Sequence, residues 1–453
     1  MNELDTTGMR MLDERDRQTL EQAVTRALDL AADGSATAAA VDASLGLGLS
    51  VEVRMGELET VEHHRDRTLG VTVWLGERSG SAATTDLAEV AIGETVRAAL
   101  EIARHTEPDP CAGLPERERL AWDPPVLDLF HPWSIEPQEA AELALSCEAA
   151  ALGADPRIRN SDGATLATGQ SLHCLGNSHG LLVCSSATRH SLSCTPVAED
   201  TSGMQRDFWY SLGRVPRELE APETIGRRAA ERALARLGGR RLGTLRVPVL
   251  FENRVAPSLF RHLIAALSGG ALYRRSSFLL DSVGQQLFPQ WLTLREEPHL
   301  PRALGSAAFD AEGVATRPSD LVAAGVLQRY CLDSYSARKL GLETTGNAGG
   351  VHNLVVTPGE QDLQGLLRQM GTGLLVTELM GFGVDTVSGD YSRGAAGFWV
   401  EGGEIAHPVE EITIAGNLRQ MYSGILAIGS DIETRGSIRS GSVLIDAMTV
   451  AGE

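Results

Sequence analysis

The feature that most constrains this chain is a long apolar–polar alternation over residues 158–196, broken at Asn177-Ser178-His179-Gly180. Alternation of period two puts every second side chain on one face of an extended strand. A turn-forming tetrapeptide between two such runs makes an antiparallel hairpin. A further turn is expected at Ser161-Asp162-Gly163, so the segment reads as a meander. Residues 49–54 and 69–75 alternate in the same way, and the charged stretch 57–67 between them reads as a solvated hairpin. Helical spacing marks 17–32, stopped by Asp33-Gly34. It marks 87–103 too, after a turn at Arg78-Ser79-Gly80-Ser81 and with Asp86 as cap. Further helices are expected at 137–152 and at 222–237, the latter closed by Gly238-Gly239. Strands and helices do not alternate as in a βαβ array. The class is therefore α+β: a two-domain chain with antiparallel β-sheets and flanking helices.

At 453 residues the chain exceeds one ordinary core. A boundary is expected near residue 240. Residues 1–240 form an N-terminal α+β domain, with a first part at 17–107, a Pro- and acid-rich connector at 108–137 and a second part at 138–240. Residues 241–453 form a glycine-dense, β-rich C-terminal domain. Within it, 245–251 is a strand whose Pro248 predicts an edge position. A helix at 257–267 starts on a proline and is expected to end at Gly269-Gly270, and a shorter helix covers 362–370.

Charge narrows the partners. There are 60 Asp and Glu against 40 Lys and Arg, a net charge of −20, which repels nucleic acid and anionic membrane surfaces. Lys339 is the single lysine. No apolar run is long enough to span a bilayer. Residues 1–17 are polar and acidic, unlike a secretory signal. The six cysteines (Cys111, Cys147, Cys174, Cys184, Cys194, Cys331) form no C-x-x-C pair and are expected to be reduced thiols of a cytoplasmic protein.

Short motifs are weak when weighed against their surroundings. Gly176-Asn177-Ser178-His179-Gly180 is formally G-x-S-x-G, but a nucleophile elbow needs a helix after the serine, and Leu181-Leu182-Val183 reads as a strand. His173, Cys174, His179, Cys184, His190 and Cys194 make a thiol–imidazole patch. The ten-residue spacing of its cysteines is that of matching positions on neighbouring strands, so buried thiols are expected rather than zinc. His407-Pro408-Val409-Glu410-Glu411 reads as a loop leading into the strand Ile412-Thr413-Ile414. No P-loop, no well-placed dinucleotide fingerprint and no His-Glu-x-x-His is present.

The C-terminal half carries longer motifs. Ser388-Gly389-Asp390-Tyr391-Ser392-Arg393-Gly394 runs through Phe398-Trp399 into Pro408-Val409-Glu410-Glu411-Ile412-Thr413-Ile414. Together with Ser268-Gly269-Gly270-Ala271-Leu272-Tyr273-Arg274-Arg275, Asn347-Ala348-Gly349-Gly350-Val351-His352-Asn353 and Gly441-Ser442-Val443-Leu444, it resembles the PmbA (TldE) branch of the TldD/PmbA family. Arg206-Asp207-Phe208-Trp209-Tyr210 and residues 80–87 extend the resemblance through nearly the whole chain.

That resemblance implies a cytoplasmic TldD–TldE heterodimer, a metalloprotease that cleaves unfolded or extended peptides and matures microcin-like peptides. The zinc belongs to the TldD-type partner, which carries His-Glu-x-x-x-His and a cysteine ligand. The helix at 257–267 falls in the same place, so Pro257 stands for the first histidine and Ser258 for the glutamate, and only His262 matches. No cysteine follows Cys331. Zinc catalysis needs about three protein ligands and a base for its water, and proline and serine supply neither. The resemblance therefore implies a non-catalytic subunit, with no cofactor in this chain, that completes a peptide channel. A second copy of the chain is the alternative partner. Tyr391, Arg393, Gly394, Asn347 and His352 are the candidate peptide-binding residues, and an edge at 245–251 with 389–397 is the expected groove. Two other readings compete. One is a metallopeptidase in its own right, with ligands such as His352, His407 and Glu410. The other is a regulatory peptide-binding protein of the kind linked to DNA gyrase, for which direct DNA contact conflicts with the net charge.

Overall fold

The computed structural model describes residues 10–452. Residues 1–9, and with them most of the segment read above as signal-free, lie outside the described residues. The chain forms two compact units. The first runs to Glu199 and takes in Gln205–Leu234 and Ala308–Thr316. The second holds Asp200–Met204, Ala235–Ala307 and the chain from Arg317 on.

The first unit is built on a long antiparallel sheet. Helix α1 (Glu14–Asp33) begins at a capping box, Asp13 accepting from the amides of Arg15 and Asp16. Its Leu20, Val24, Ala27 and Ala31 are buried at helical spacing. β1 (Ala38–Arg54), β2 (Glu57–Leu75), β3 (Arg78–Thr84), α2 (Glu89–His105) and α3 (Pro137–Leu152) follow. Then come β4 (Ile158–Asn177), β5 (Leu182–Asp200), β6 (Gly203–Arg206), β7 (Trp209–Gly213) and α4 (Pro222–Ala235). Strand order is β3-β2-β1-β4-β5-β6, with β7 also on β5. Val41, Ala43, Leu45, Leu47, Leu49, Val51 and Val53 of β1 alternate inward, against α1 and α3.

The β4–β5 hairpin forms as its alternation predicts, with Gly180 donating to the Asn177 carbonyl at 2.9 Å. The G-x-S-x-G segment is that turn, and Ser178 Oγ accepts from the Ala39 amide at 3.0 Å. Several local expectations are corrected. Arg78-Ser79-Gly80-Ser81 is strand, the start of β3, paired with β2. Ser161-Asp162-Gly163 is not a turn but an irregularity inside β4, where the register shifts between Ser161 and Ala164. Cys174 and Cys184 are not free thiols: they face each other in the β4–β5 register and form a disulfide, while Cys111, Cys147, Cys194 and Cys331 remain free.

The second unit contains two sheets. β8 (Leu245–Phe251) leads into α5 (Pro257–Leu267), α6 (Gly269–Tyr273), β9 (Leu294–Glu296), β10 (Ser319–Ala323), β11 (Val326–Leu327) and α7 (Ser334–Leu340). β12 (Leu354–Val356), α8 (Leu363–Met370), β13 (Gly373–Met380), β14 (Asp390–Glu401) and β15 (Glu404–Asn417) come next. α9 (Leu418–Ser423), β16 (Ile425–Ile428), β17 (Ile438–Arg439) and β18 (Val443–Ala451) close the chain. One sheet has the order β11-β10-β9-β12-β17. The other runs β15-β14-β13-β8-β18-β16, and β15 also pairs with β18, closing a ring of five strands. Val249, Phe251, Leu259, Phe260, Leu263, Val376, Ile414 and Val443 belong to its continuous core.

Three expectations are overturned here. β8 is an interior strand, held between β13 and β18. Pro248 is tolerated because β13 pairs only from Val249 onward and the β18 register shifts between Ile445 and Met448, so no ladder bond is asked of the proline. Gly269-Gly270 opens α6 rather than merely ending α5. Residues 407–411 lie within β15, not in a loop: Trp399 faces His407 and Phe398 faces Pro408. No helix among the described residues is long and apolar enough to cross a membrane.

Candidate functional site

Helix α5 carries the one residue that matches the ligand spacing. Pro257 occupies its first turn, where a missing N–H is harmless, and Ser258 Oγ donates to the Val255 carbonyl at 2.6 Å. Leu259, Phe260, Leu263, Ala266 and Leu267 bury one face. His262 is half-buried, and its Nε2 lies in the interior without a hydrogen-bond partner.

Its neighbour is β14. The Tyr391 ring meets the His262 ring edge to face, with centroids 6.0 Å apart. Tyr391 is 1% exposed, so its ring belongs to the core and does not pack against a peptide. Its hydroxyl, like Arg393 Nε, is buried without a partner. Tyr391 and Arg393 sit two apart on one strand and so share a face. Tyr422 stands behind them and is satisfied, donating from Oη to the Leu259 carbonyl at 2.9 Å. Gly394 lies between Met380 of β13 and Thr413 of β15.

Electrostatics follow from burial and from the arginines. Burial, then the charges of Arg393 and Arg261, push the His262 imidazole down to about 4. Burial pushes the Tyr391 phenol up to about 12, with the Arg393 guanidinium working against that rise. The cluster is thus a neutral imidazole, a neutral phenol and a guanidinium.

A divalent metal does not fit these residues. Pro257 and Ser258, which the resemblance sets at ligand positions, hold no imidazole or carboxylate, and the arginines near His262 repel a cation. Among the described residues no group of three His, Cys, Asp or Glu could hold an ion, so His352, His407 and Glu410 do not form one. The thiol–imidazole patch makes none either. His190 is used on both ring nitrogens, by Thr168 at 2.7 Å and the His131 carbonyl at 3.0 Å.

Asn347 and His352 gather elsewhere in the same unit, around Glu296 of β9. Glu296 accepts from Arg329 at 2.5 Å, from Asn347 Nδ2 at 2.9 Å and from the His352 amide at 2.6 Å, with His352 Nδ1 at 3.1 Å. Sequence reasoning found Asn347 and His352 but missed their hub. The one available signal was the alternation Leu294-Arg295-Glu296, which puts Glu296 on the same buried face as Leu294 and turns Arg295 outward.

The depressed His262 predicts an acid response. The unfolded chain takes up a proton near the ordinary 6.5 that the folded site refuses until about 4, so this residue erodes stability as pH falls through that window. In urea unfolding, wild type should lose more stability between pH 7 and pH 4.5 than His262→Asn. Equal losses would show that the imidazole is not held neutral.

Three family models match: PmbA/TldA metallopeptidase domain 1 over 39–103, the central domain over 130–237 and the C-terminal domain over 244–452. Metalloprotease PmbA of Escherichia coli O157:H7 is 51% identical over 440 residues, 97% of this chain and 98% of that protein. A Haemophilus influenzae PmbA homolog is 47% identical over 436 residues, 96% of each. Among solved structures, a candidate modulator of DNA gyrase from Bacteroides thetaiotaomicron superposes with a TM-score of 0.91 at 27% identity, covering 98% of this chain and all of that one. TldE from Thermococcus kodakarensis shares the fold, with a TM-score of 0.84 at 21% identity over 95% of this chain and 100% of that one. The chain belongs to the PmbA/TldD metallopeptidase family, in its PmbA branch.

Proposed function

We propose that this chain is the non-catalytic subunit of a two-chain cytoplasmic peptidase. A TldD-type partner carries the zinc, and this chain, without a cofactor of its own, completes the channel for unfolded or extended peptides, including microcin-like precursors. The observation that carries the reading is His262: a lone imidazole on α5, the helix that the resemblance sets where the partner's ligands would lie, held neutral beside arginines and without a second histidine or a glutamate on that helix. One surviving imidazole cannot position a metal-bound water, and no carboxylate stands next to it on α5 to take that water's proton.

The peptide is not expected to add to β8 or β14. β14 lies between β13 and β15, and β8 lies between β18 and β13 from Val249 onward, which leaves neither a free edge along its whole length. Recognition instead falls to side chains.

The test is metal analysis and peptidase assay of the purified chain, alone and mixed with a protein bearing His-Glu-x-x-x-His. Zinc should be well below one per chain alone, with cleavage of an unfolded protein appearing only in the mixture. Stoichiometric zinc and chelator-sensitive cleavage by the single chain would overturn the proposal in favour of an independent metallopeptidase.

A further inference from the structure

We infer that His262, Tyr391 and Arg393 form a receptor for a peptide carboxylate. The inference deepens the subunit reading, which supplies the peptide, but it stands on the cluster's own chemistry. Three neighbouring side chains each carry a buried polar atom without a geometric hydrogen-bond partner: His262 Nε2, Tyr391 Oη, which the Arg393 guanidinium acts on, and Arg393 Nε. Tyr391 is 1% exposed, so water does not reach its ring freely. A buried polar group left unpaired costs about 1–3 kcal/mol, and folds rarely leave three of them together.

The donor set selects the ligand. Guanidinium and phenol both donate, and a neutral imidazole donates from Nε2 when Nδ1 is the unprotonated nitrogen. Donors need an acceptor, and the buried Arg393 guanidinium, with Arg261 also near His262, needs an anion. The chain itself does not provide it. It has 60 acidic residues, and other buried arginines take them: Arg329 binds Glu296 at 2.5 Å and Arg435 binds Glu433 at 2.5 Å. Arg393 pairs with no carboxylate among the described residues. A peptide carbonyl would leave the guanidinium uncompensated. A carboxylate matches a guanidinium, whose planar fork donates to its two oxygens, with the phenol and imidazole completing the shell. The His262 and Arg393 side chains are half-buried as wholes, while the donor atoms themselves are buried, so the cluster lies just beneath the surface.

Two sources share this chemistry, the α-carboxylate of a chain end and an acidic side chain within the peptide. Calorimetric titration of the full chain distinguishes them with three probes: N-acetyl-tetraalanine as the free acid, the same peptide as its amide, and an amide with one alanine replaced by glutamate. One of the two acids should bind at least about tenfold tighter than the plain amide, the size of a charged hydrogen bond, and the winner names the source. Arg393→Ala should abolish that difference. Tyr391→Phe, which keeps the ring in the core, should weaken it several-fold. Binding of the acid should also raise the pKa of His262, read from its ring resonances, because an adjacent anion favours imidazolium. Equal binding of all three probes, no binding of any, or an acid preference untouched by both variants would overturn the inference. Failure of the subunit reading looks different. If the chain and a metal-bearing partner assemble and cleave while acid and amide bind alike, the receptor alone fails. If the acid binds selectively but no partner activates cleavage, the receptor stands and the subunit reading falls.

Discussion

Glu296→Ala should destabilise the second unit by about 3–5 kcal/mol, the loss typical of breaking a buried ion pair from one side. Glu296 is 3% exposed and ionised in place. Burial raises its pKa, but the hydrogen bond from His352 and the charge of Arg329 outweigh burial, and the net shift is downward. Alanine would strand the Arg329 guanidinium, whose side chain is 17% exposed, and take an acceptor from Asn347 and from the His352 amide. Glu296→Gln keeps the shape and one carbonyl oxygen, so its loss should be smaller. The downward shift also means that the ionised carboxylate stabilises the fold at neutral pH, and that this contribution fades on acidification. Urea unfolding of both variants at pH 7 decides the matter. A loss below about 1 kcal/mol for Glu296→Ala would mean that the network adds nothing that solvent cannot replace.

That network shows where sequence reasoning stops. Glu296 meets Arg329 and Asn347 across 33 and 51 residues, and no local pattern encodes such separations. Local chemistry, by contrast, was readable in part: the charged stretch 57–67 is strand within β2 and α2 starts without the Asp86 cap, but several element starts and one hairpin stood out. Pro137 and Pro257 mark the first turns of α3 and α5 because proline fits only there in a helix, and the alternation of β4 and β5 dictated their hairpin. The rules failed where tertiary structure made an exception for them. Pro248 pointed to an edge, but the register shift in β18 admits it to the middle of a sheet. Pro408 pointed to a loop, yet it sits within β15, near Glu411 at φ 52°. At the site, the family's ligand spacing picked out His262. Nothing in the sequence revealed that Tyr391 is buried against it, or that the arginine two residues on lacks a counter-ion.

Gly397→Ala joins the fold to that cluster and should be the most damaging glycine substitution in β14. A Cβ at 397 would lie 1.9 Å from the Leu375 carbonyl oxygen on β13, and a backbone atom cannot swing aside. The two strands must separate or slide, at the place where the register of both is already irregular. Overpacking of this kind costs about 1–3 kcal/mol, more when the obstacle is main chain. Because Tyr391 and Arg393 ride on the same strand, their approach to His262 depends on the β13–β14 pairing. The variant should therefore lose selective carboxylate binding as well as stability, although residue 397 touches no ligand. Gly93→Ala gives the contrast: its Cβ meets nothing within 4 Å on α2, so it should be neutral or add up to about 1 kcal/mol through helix propensity. If Gly397→Ala instead unfolds like wild type and keeps its preference for the acid, then the strand pairing does not position the cluster, and Arg393 must be placed by its own side-chain packing alone.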